Sequence, residues 1–173
     1  MFLYSLLALA VVTALIFAAP LKAKVWATLA VVAAGALWAS ATAVGVLAGG
    51  HTVRLWATDV FLFGSDAGSM DPLSALFALI VSVGAVAAVL YSRGYLAHYL
   101  GRKSPAHISL HYTALATMFY AMLGVVTSEG GFSFLFFWEL MTVASFLLIL
   151  FDAERRELLL KGEKKLGRLY KKG

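Results

Sequence analysis

Residues 132–151 form an apolar run, FSFLFFWELMTVASFLLILF, that is about as long as an α-helix needs to cross a lipid bilayer. One carboxylate, Glu139, stands near the middle of this run. A charged side chain at the centre of a bilayer costs about 2.5–3.5 kcal/mol on insertion scales. Glu139 is therefore expected to face protein or water and to have a partner or a proton.

Two hydroxyl residues, Thr142 and Ser145, follow Glu139 in successive steps of three. On a helix, neighbours at this spacing touch, so the sequence predicts a slanted polar stripe that points inward. A functional carboxylate is favoured, because ionisable residues inside membranes are functional by default. The alternative is a structural Glu139 that hydrogen-bonds a neighbouring helix.

The composition supports a membrane protein without a second, soluble domain. Of the 173 residues, 62% are hydrophobic, whereas a soluble domain is about half apolar. With no Cys, the chain has no disulfide, Cys-ligated metal or iron–sulfur cluster. The net charge of +5 comes from basic residues that flank apolar runs. The positive-inside rule explains them better than nucleic-acid binding does, so no nucleic-acid partner is expected.

The predicted fold class is an all-α membrane protein with about five transmembrane helices and a basic C-terminal amphipathic helix. The predicted spans of the helical bundle are residues 1–19, 25–47, 72–91, 111–127 and 132–151, and residues 152–173 form the tail. The first ten residues contain no basic residue, which predicts a retained helix and not a cleaved signal peptide. Small residues at every fourth position predict close helix packing. They are Gly35, Ala39 and Ala43 in the second span and Ser74, Ala78 and Ser82 in the third.

The connections differ in character. Residues 53–63 are expected to form a short strand or a hairpin. Asp71 followed by Pro72 predicts a capped start of the third helix. The stretch after Tyr91 predicts a loop with one interfacial helical turn.

Four hydroxyl residues lie near one face of the fourth span: Thr113, Thr117, Tyr120 and Thr127. Such a row can hydrogen-bond a neighbouring helix or hold water. Packing is the favoured role, and Thr117 and Tyr120 are kept as candidates to support proton transfer through water.

The distribution of Lys and Arg predicts the topology. All of them except Arg54 lie in the connections after the first and third spans or in the tail. With five spans, these segments share one side, which the positive-inside rule makes cytoplasmic. The amino terminus is then outside and the carboxyl terminus inside. The tail, with its basic residues and a partly apolar face, is expected to lie on an anionic surface.

Two stretches together resemble a known family: MDPLSALFALIVSVGAVAAVLYSRGYL, and then, after a further helix, FLFFWELMTVASFLLILFDAERRE. They are similar to the antiporter-like membrane subunits of respiratory complex I, Mrp-type cation/proton antiporters, formate hydrogenlyase and hydrogenase-4-type complexes. The phrase WELMTVASFLL with its acidic and basic exit is closest to the hydrogenase-4 branch. The resemblance covers about residues 70–157, the amino-terminal portion of such a subunit.

The resemblance implies that the Glu of WELM, here Glu139, takes part in proton translocation and pairs with a Lys on a later helix. No Lys lies inside the predicted spans, and the chain ends where the family's next helix begins. Three explanations are open: a split subunit completed by a second chain, a naturally short subunit, or a truncated gene. A split or shortened subunit inside a larger complex is favoured.

The leading functional hypothesis is a proton or sodium/proton translocating component of a redox-driven complex in the inner membrane of a prokaryote. Glu139 is its proton-transfer carboxylate, supported by Thr142, Ser145, Thr117 and Tyr120. The alternatives are a structural or assembly subunit and a small self-sufficient transporter. No cofactor is expected in this chain, and redox cofactors are expected only in partner subunits. The expected partners are the bilayer and other membrane subunits, including a chain that places a Lys near Glu139.

Overall fold

The structure of the protein is a computed structural model that describes residues 14, 16–20, 23–60, 64–97 and 104–170. These residues form α1 (Lys24–Gly49), β1 (Val53–Val60), β2 (Gly64–Met70), α2 (Pro72–Ala97), α3 (Pro105–Thr127) and α4 (Gly131–Tyr170). Within them, four helical segments are long and apolar enough to cross a membrane: Lys24–Gly49, Pro72–Leu96, Pro105–Thr127 and Gly131–Phe151. The predicted all-α membrane fold is confirmed. The predicted first span, at residues 1–19, lies largely outside the described residues.

Large apolar side chains point away from the bundle on all four helices. Leu37 of α1 is 72% exposed, Val83 of α2 71% and Ile149 of α4 68%, and Leu110 of α3 is exposed too. In water such a surface would drive association, whereas lipid tails or another membrane chain cover it without that cost. The outside of this bundle therefore suits a bilayer.

Helices α1 and α2 pack closely through small residues. Ala39 and Ala43 of α1 and Ala78 of α2 are fully buried, and Ser82 of α2 is nearly so. Small side chains allow two helix backbones to approach, which is how membrane helices gain van der Waals contact. The predicted small-residue faces are confirmed at these positions.

The helix ends correct two predicted boundaries. α2 continues past Tyr91 to Ala97, and α3 begins at Pro105 and not at His111. Ser104 caps α3 by accepting a hydrogen bond from the backbone of His107, and Pro105 takes the first helical position. The loop predicted after Tyr91 is wrong at both ends, because helical hydrogen bonds continue past the apolar residues that hydropathy detects.

The strand expected in residues 53–63 forms as β1, and it is part of a longer hairpin, because β2 follows at Gly64–Met70. β1 and β2 are antiparallel, with Val53 opposite Met70 and Val60 opposite Gly64, and the pairing is irregular between Arg54 and Trp56. The indole of Trp56 occupies the space that a side chain at position 68 would need, so a glycine is required there.

The hairpin also contacts the turn between α3 and α4. Gly68 of β2 forms an antiparallel bridge with Ser128, and the Glu129 N–H donates to the Ala67 carbonyl over 2.9 Å. The hairpin and this turn therefore lie at the same end of the bundle.

Helix α4 is one helix of 40 residues that leaves the apolar segment and continues into the basic tail. The helical tail predicted from the sequence is thus the second half of α4 and not a separate helix. Gly162 and Gly167 each cost about 1 kcal/mol of helix propensity relative to Ala, which does not end a helix. No proline follows Pro105, so nothing in this stretch removes a backbone donor.

Candidate functional site: the open face of α4

Glu139 lies in the membrane-crossing segment of α4. At 1.5 Å per residue it stands about 12 Å along the helix axis from Gly131 and about 18 Å from Phe151. Its side chain is exposed on the side of α4 that the described residues leave uncovered. We call this side the open face of α4. Its exposed members are Leu135, Trp138, Glu139, Thr142, Val143 and Phe146.

The opposite side of α4 packs against the rest of the chain. Ser133 and Ala144 are each 1% exposed, and Phe151 is buried beside His111 of α3, with ring centroids 4.7 Å apart. The expectation that the Glu139 stripe points inward is therefore wrong for the bundle that the described residues form. The sequence period identifies which residues share a face, but not which face the neighbouring helices cover.

The hydroxyls next to Glu139 bond to their own helix. Thr142 Oγ1 donates to the Trp138 carbonyl over 3.0 Å, and Ser145 Oγ donates to the Thr142 carbonyl over 2.9 Å. Each hydroxyl has one hydrogen to give, so in this arrangement neither offers a donor to the Glu139 carboxylate. Both retain acceptor capacity, which suits a protonated carboxyl or a passing water.

Tyr120, named as a support for proton transfer, holds two helices together. Its hydroxyl donates to the Val31 carbonyl of α1 over 2.8 Å. A Cβ placed on Gly35 would lie 2.6 Å from that hydroxyl oxygen, so glycine makes room for the tyrosine. The burial of Thr117 is partial, and no described hydrogen bond joins it or Tyr120 to Glu139. Within the described residues, Glu139 and Thr142 lie exposed on α4 with Ser145 half-buried beside them, and the supporting role of Thr117 and Tyr120 stays a prediction.

Lys24 is the first residue of the helical segment that is long and apolar enough to cross a membrane, one position before the predicted second span. Its side chain is buried, and Nζ donates to the carbonyls of Ile16 (2.8 Å) and Phe17 (3.0 Å). The ammonium therefore binds carbonyl groups at the end of the preceding segment, and no described hydrogen bond or ion pair links it to Glu139. In the sequence, the two Lys residues of Lys22-Ala23-Lys24, which follow Pro20, already mark the start of α1.

Asp71 has the capping role that the sequence predicts. Its Oδ1 accepts a hydrogen bond from the Ser74 N–H over 2.6 Å, in the first turn of α2. Hydrogen bonds from the Ser74 backbone and hydroxyl hold the pKa of the Asp71 carboxyl below its usual value. Asp71 therefore stabilises the first turn of α2.

Asp66 of β2 is a buried carboxylate that sequence reasoning missed. It is 5% exposed and accepts hydrogen bonds from the backbone and hydroxyl of Ser133, in the first turn of α4. A lone acidic residue in a glycine-rich strand, GSDAGSM, was the only signal. Among the described residues, no cluster of three His, Asp or Glu suits a metal ion.

The fold and the surface define a multi-pass helical membrane protein with an intramembrane carboxylate on an uncovered helix face. No family model matches the chain. It is 37% identical over 97 residues to the Na(+)/H(+) antiporter subunit A1 of Staphylococcus aureus strain JH9, a match that covers 56% of this chain and 11% of that protein. It is 35% identical over 82 residues to antiporter subunit mnhA2 of Staphylococcus saprophyticus, with 47% and 10% covered.

These matches make the chain antiporter-like over about half of its length. The match spans about a tenth of the length of the two relatives. They support the antiporter side of the resemblance drawn from the sequence and do not address its hydrogenase-4 branch.

Proposed function

We propose that the chain is a membrane subunit of a larger ion-translocating complex and contributes Glu139 as an intramembrane proton-transfer carboxylate. The observation that carries the proposal is the position of Glu139, near the middle of the apolar segment of α4 and on a face that the described residues leave open. The similarity to Na(+)/H(+) antiporter subunits supports the translocation of protons, or of protons and sodium.

The surroundings of Glu139 require a partner. An ionised carboxylate facing lipid at this depth would cost about 2.5–3.5 kcal/mol or more. Thr142 and Ser145 do not relieve that cost, because their hydrogens are given to backbone carbonyls. We infer that a partner chain, or residues of this chain outside the described ranges, covers the open face and supplies a cation or water to the Glu139 carboxyl. A side chain that gains and loses a proton as its neighbour changes is what proton transfer needs.

The proposed partner is a chain that supplies further antiporter-type helices and places a Lys near Glu139. The proposed complex is a cation/proton antiporter or its redox-driven relative of the hydrogenase-4 or complex I type, in the cytoplasmic membrane of a prokaryote. Any redox cofactor would reside in other subunits.

A structural or assembly role is the second candidate. The hydroxyls beside Glu139 and that of Tyr120 all donate to backbone carbonyls, as packing residues do. In this case Glu139 would form a hydrogen bond to a neighbouring helix and would not take part in proton transfer. The two candidate roles predict different transport for a variant in which an amide that cannot ionise replaces the Glu139 carboxyl.

Replacing Glu139 tests the proposal in the intact complex. Glu139→Gln keeps the shape of the side chain but cannot ionise, so assembly should stay near normal. Proton uptake into vesicles should fall at least about a hundredfold per assembled complex, the lower end of the range for lost proton-transfer groups. Glu139→Asp should retain part of the activity through water. Glu129→Gln is the matched control, because Glu129 is an exposed carboxylate in the turn before α4.

The outcomes separate the two candidates. Full transport by the Glu139→Gln complex would end the conduction role of this residue. Lost assembly with normal transport in the complexes that do form would establish the structural role instead.

A further inference from the structure

The amino-terminal end of α4 is attached to the hairpin through Asp66. Oδ2 of Asp66 accepts from the Ser133 N–H over 2.9 Å, and Oδ1 accepts from the Ser133 hydroxyl over 3.0 Å and from the Ala67 N–H over 2.8 Å. Asp66 and Ser133 are both buried, at 5% and 1% exposed. This contact joins residues 67 positions apart in the chain.

The contact satisfies groups that the helix cannot satisfy itself. The first backbone N–H groups of a helix have no intrahelical acceptor, and the helix dipole favours negative charge at this end. Here the acceptor comes from another element and not from the residue before the helix. A Cβ on Gly130 would overlap the Asp66 carboxylate, so the glycine allows the close approach.

The attachment fixes the helix that carries Glu139. Ser133 and Glu139 are about 9 Å apart along the axis of one helix, and no proline lies between them. A helix this short between two points is stiff, so the depth and rotation of Glu139 follow those of Ser133. The second attachment, between Glu129 and Ala67, holds the turn just before α4.

We propose that Asp66 is a positioning residue for Glu139, one that sets the depth and rotation of α4 from the hairpin. This inference rests on the proposed function for its effect on transport, but its effect on the helix can be measured separately. Asn cannot replace Asp66 fully. All three groups that bond Asp66 are donors, and an amide nitrogen in either oxygen position would face a backbone N–H.

The chain has no Cys, so introduced cysteines report the position of α4 without background. The ring of Phe137 lies where a side chain on Gly124 of α3 would be, which makes Gly124→Cys with Phe137→Cys a suitable pair. The reference is the assembled complex that carries this pair. Disulfide formation should slow about threefold or more with Asp66→Asn, because the two Cβ atoms must come within about 3.5–4.5 Å.

Two further variants and one control show whether a change in the cross-linking rate comes from the Asp66 contact and not from poor folding. In Gly130→Ala the new methyl group would overlap the Asp66 carboxylate, so this variant should also slow cross-linking. Ser133→Ala removes only the hydroxyl and should give a smaller change. Asp71→Asn makes the same chemical change at the start of α2 without touching α4, and it should leave the cross-linking rate unchanged.

Transport per assembled complex, measured without the cysteine pair, provides the second readout. Asp66→Asn should lower it at least about tenfold, since a misplacement of about 1 Å can cost as much as about a hundredfold. In a Glu139→Gln background, Asp66→Asn should lower it no further, because both changes then act on one step. Additive losses would show that Asp66 acts independently of Glu139 and would overturn the proposal.

An unchanged cross-linking rate in both Asp66→Asn and Gly130→Ala would also overturn it, whatever the transport result. Failure of the proposed function looks different. In that case Glu139→Gln transports fully, while the cross-linking of the Asp66 variant still reports the position of α4.

Discussion

At position 120, a tyrosine hydroxyl joins α3 to α1. Tyr120 belongs to the hydroxyl row of α3, which the sequence offered as a path for water. Its partner is a backbone carbonyl 89 positions earlier in the chain, and the hydroxyl fits because position 35 is glycine. The sequence could not show this, because the carbonyl of Val31 has no side-chain signature.

Tyr120 and Gly35 should therefore act together on stability. Tyr120→Phe should cost about 0.5–1.5 kcal/mol through the lost hydrogen bond. Gly35→Ala should also destabilise, because the new methyl would lie 2.6 Å from the hydroxyl oxygen. The double variant should lose less than the sum, since Phe removes that contact. Thermal unfolding in detergent measures the stability of the parent, the two single variants and the double variant.

Transport per complex should be normal for Tyr120→Phe. A clear loss of transport with unchanged stability would instead support a role of Tyr120 in proton transfer.

Asp71 gives a pH dependence with a definite sign. The hydrogen bonds from Ser74 lower the pKa of Asp71 in the folded state. The stabilisation is therefore present above the unfolded pKa of about 3.9 and is lost as the pH falls through the lower folded value. Asp71→Ala should reduce stability by about 1 kcal/mol at neutral pH, as for a lost helix cap. Melting curves from neutral pH into acid should show the variant and the parent converging. Ser74→Ala, which keeps the N–H, should retain part of the effect, and a constant difference down to strong acid would contradict the assignment.

At the scale of elements, the sequence predicted the four described helices and the first strand, and it misplaced the ends. Hydropathy finds the apolar part of a helix, whereas capping groups decide where the helix begins. Ser104-Pro105 carries the same kind of start signal as Asp71-Pro72, but the neighbouring basic residues hid it. The helix α2 runs on to Ala97 because exposed Arg93 and Tyr91 can continue a helix at the membrane surface.

The second strand of the hairpin was beyond sequence reasoning for a different reason. Gly64–Met70 contains no β-branched or aromatic residue, so its own propensity for strand is low. Its order comes from pairing with β1, from the bridge between Gly68 and Ser128, and from the bonds that Asp66 makes to Ser133. Tertiary contacts of this kind decide structure without leaving a local pattern. The same limit explains why the polar stripe of Glu139 was found but not its outward direction.

At the scale of the molecule, the described bundle has its own packed core and one open polar face. Phe119 and Val89 are almost fully buried in the core, while Glu139 is exposed near the middle of the apolar segment of α4, Gly131–Phe151. A bilayer covers Leu37 or Val83 without cost, whereas an ionised carboxylate at that depth costs about 2.5–3.5 kcal/mol or more. If Glu139 transfers protons as proposed, the orientation of the bundle in the membrane decides from which side a proton reaches it.

The topology can be tested with reporter fusions. The connection between α1 and α2 and the turn between α3 and α4 lie at one end of the bundle, since Gly68 pairs with Ser128. The Lys- and Arg-rich segments, apart from Arg54, belong to the other end, which the positive-inside rule makes cytoplasmic. Fusions after Ala23 and after Lys103 should report the cytoplasm, and fusions after Asp66 and after Glu129 should report the outside. Reversing the charges of Arg102 and Lys103 should weaken the preference, because the charge bias sets it. An inverted pattern, or opposite sides for Asp66 and Glu129, would refute this orientation.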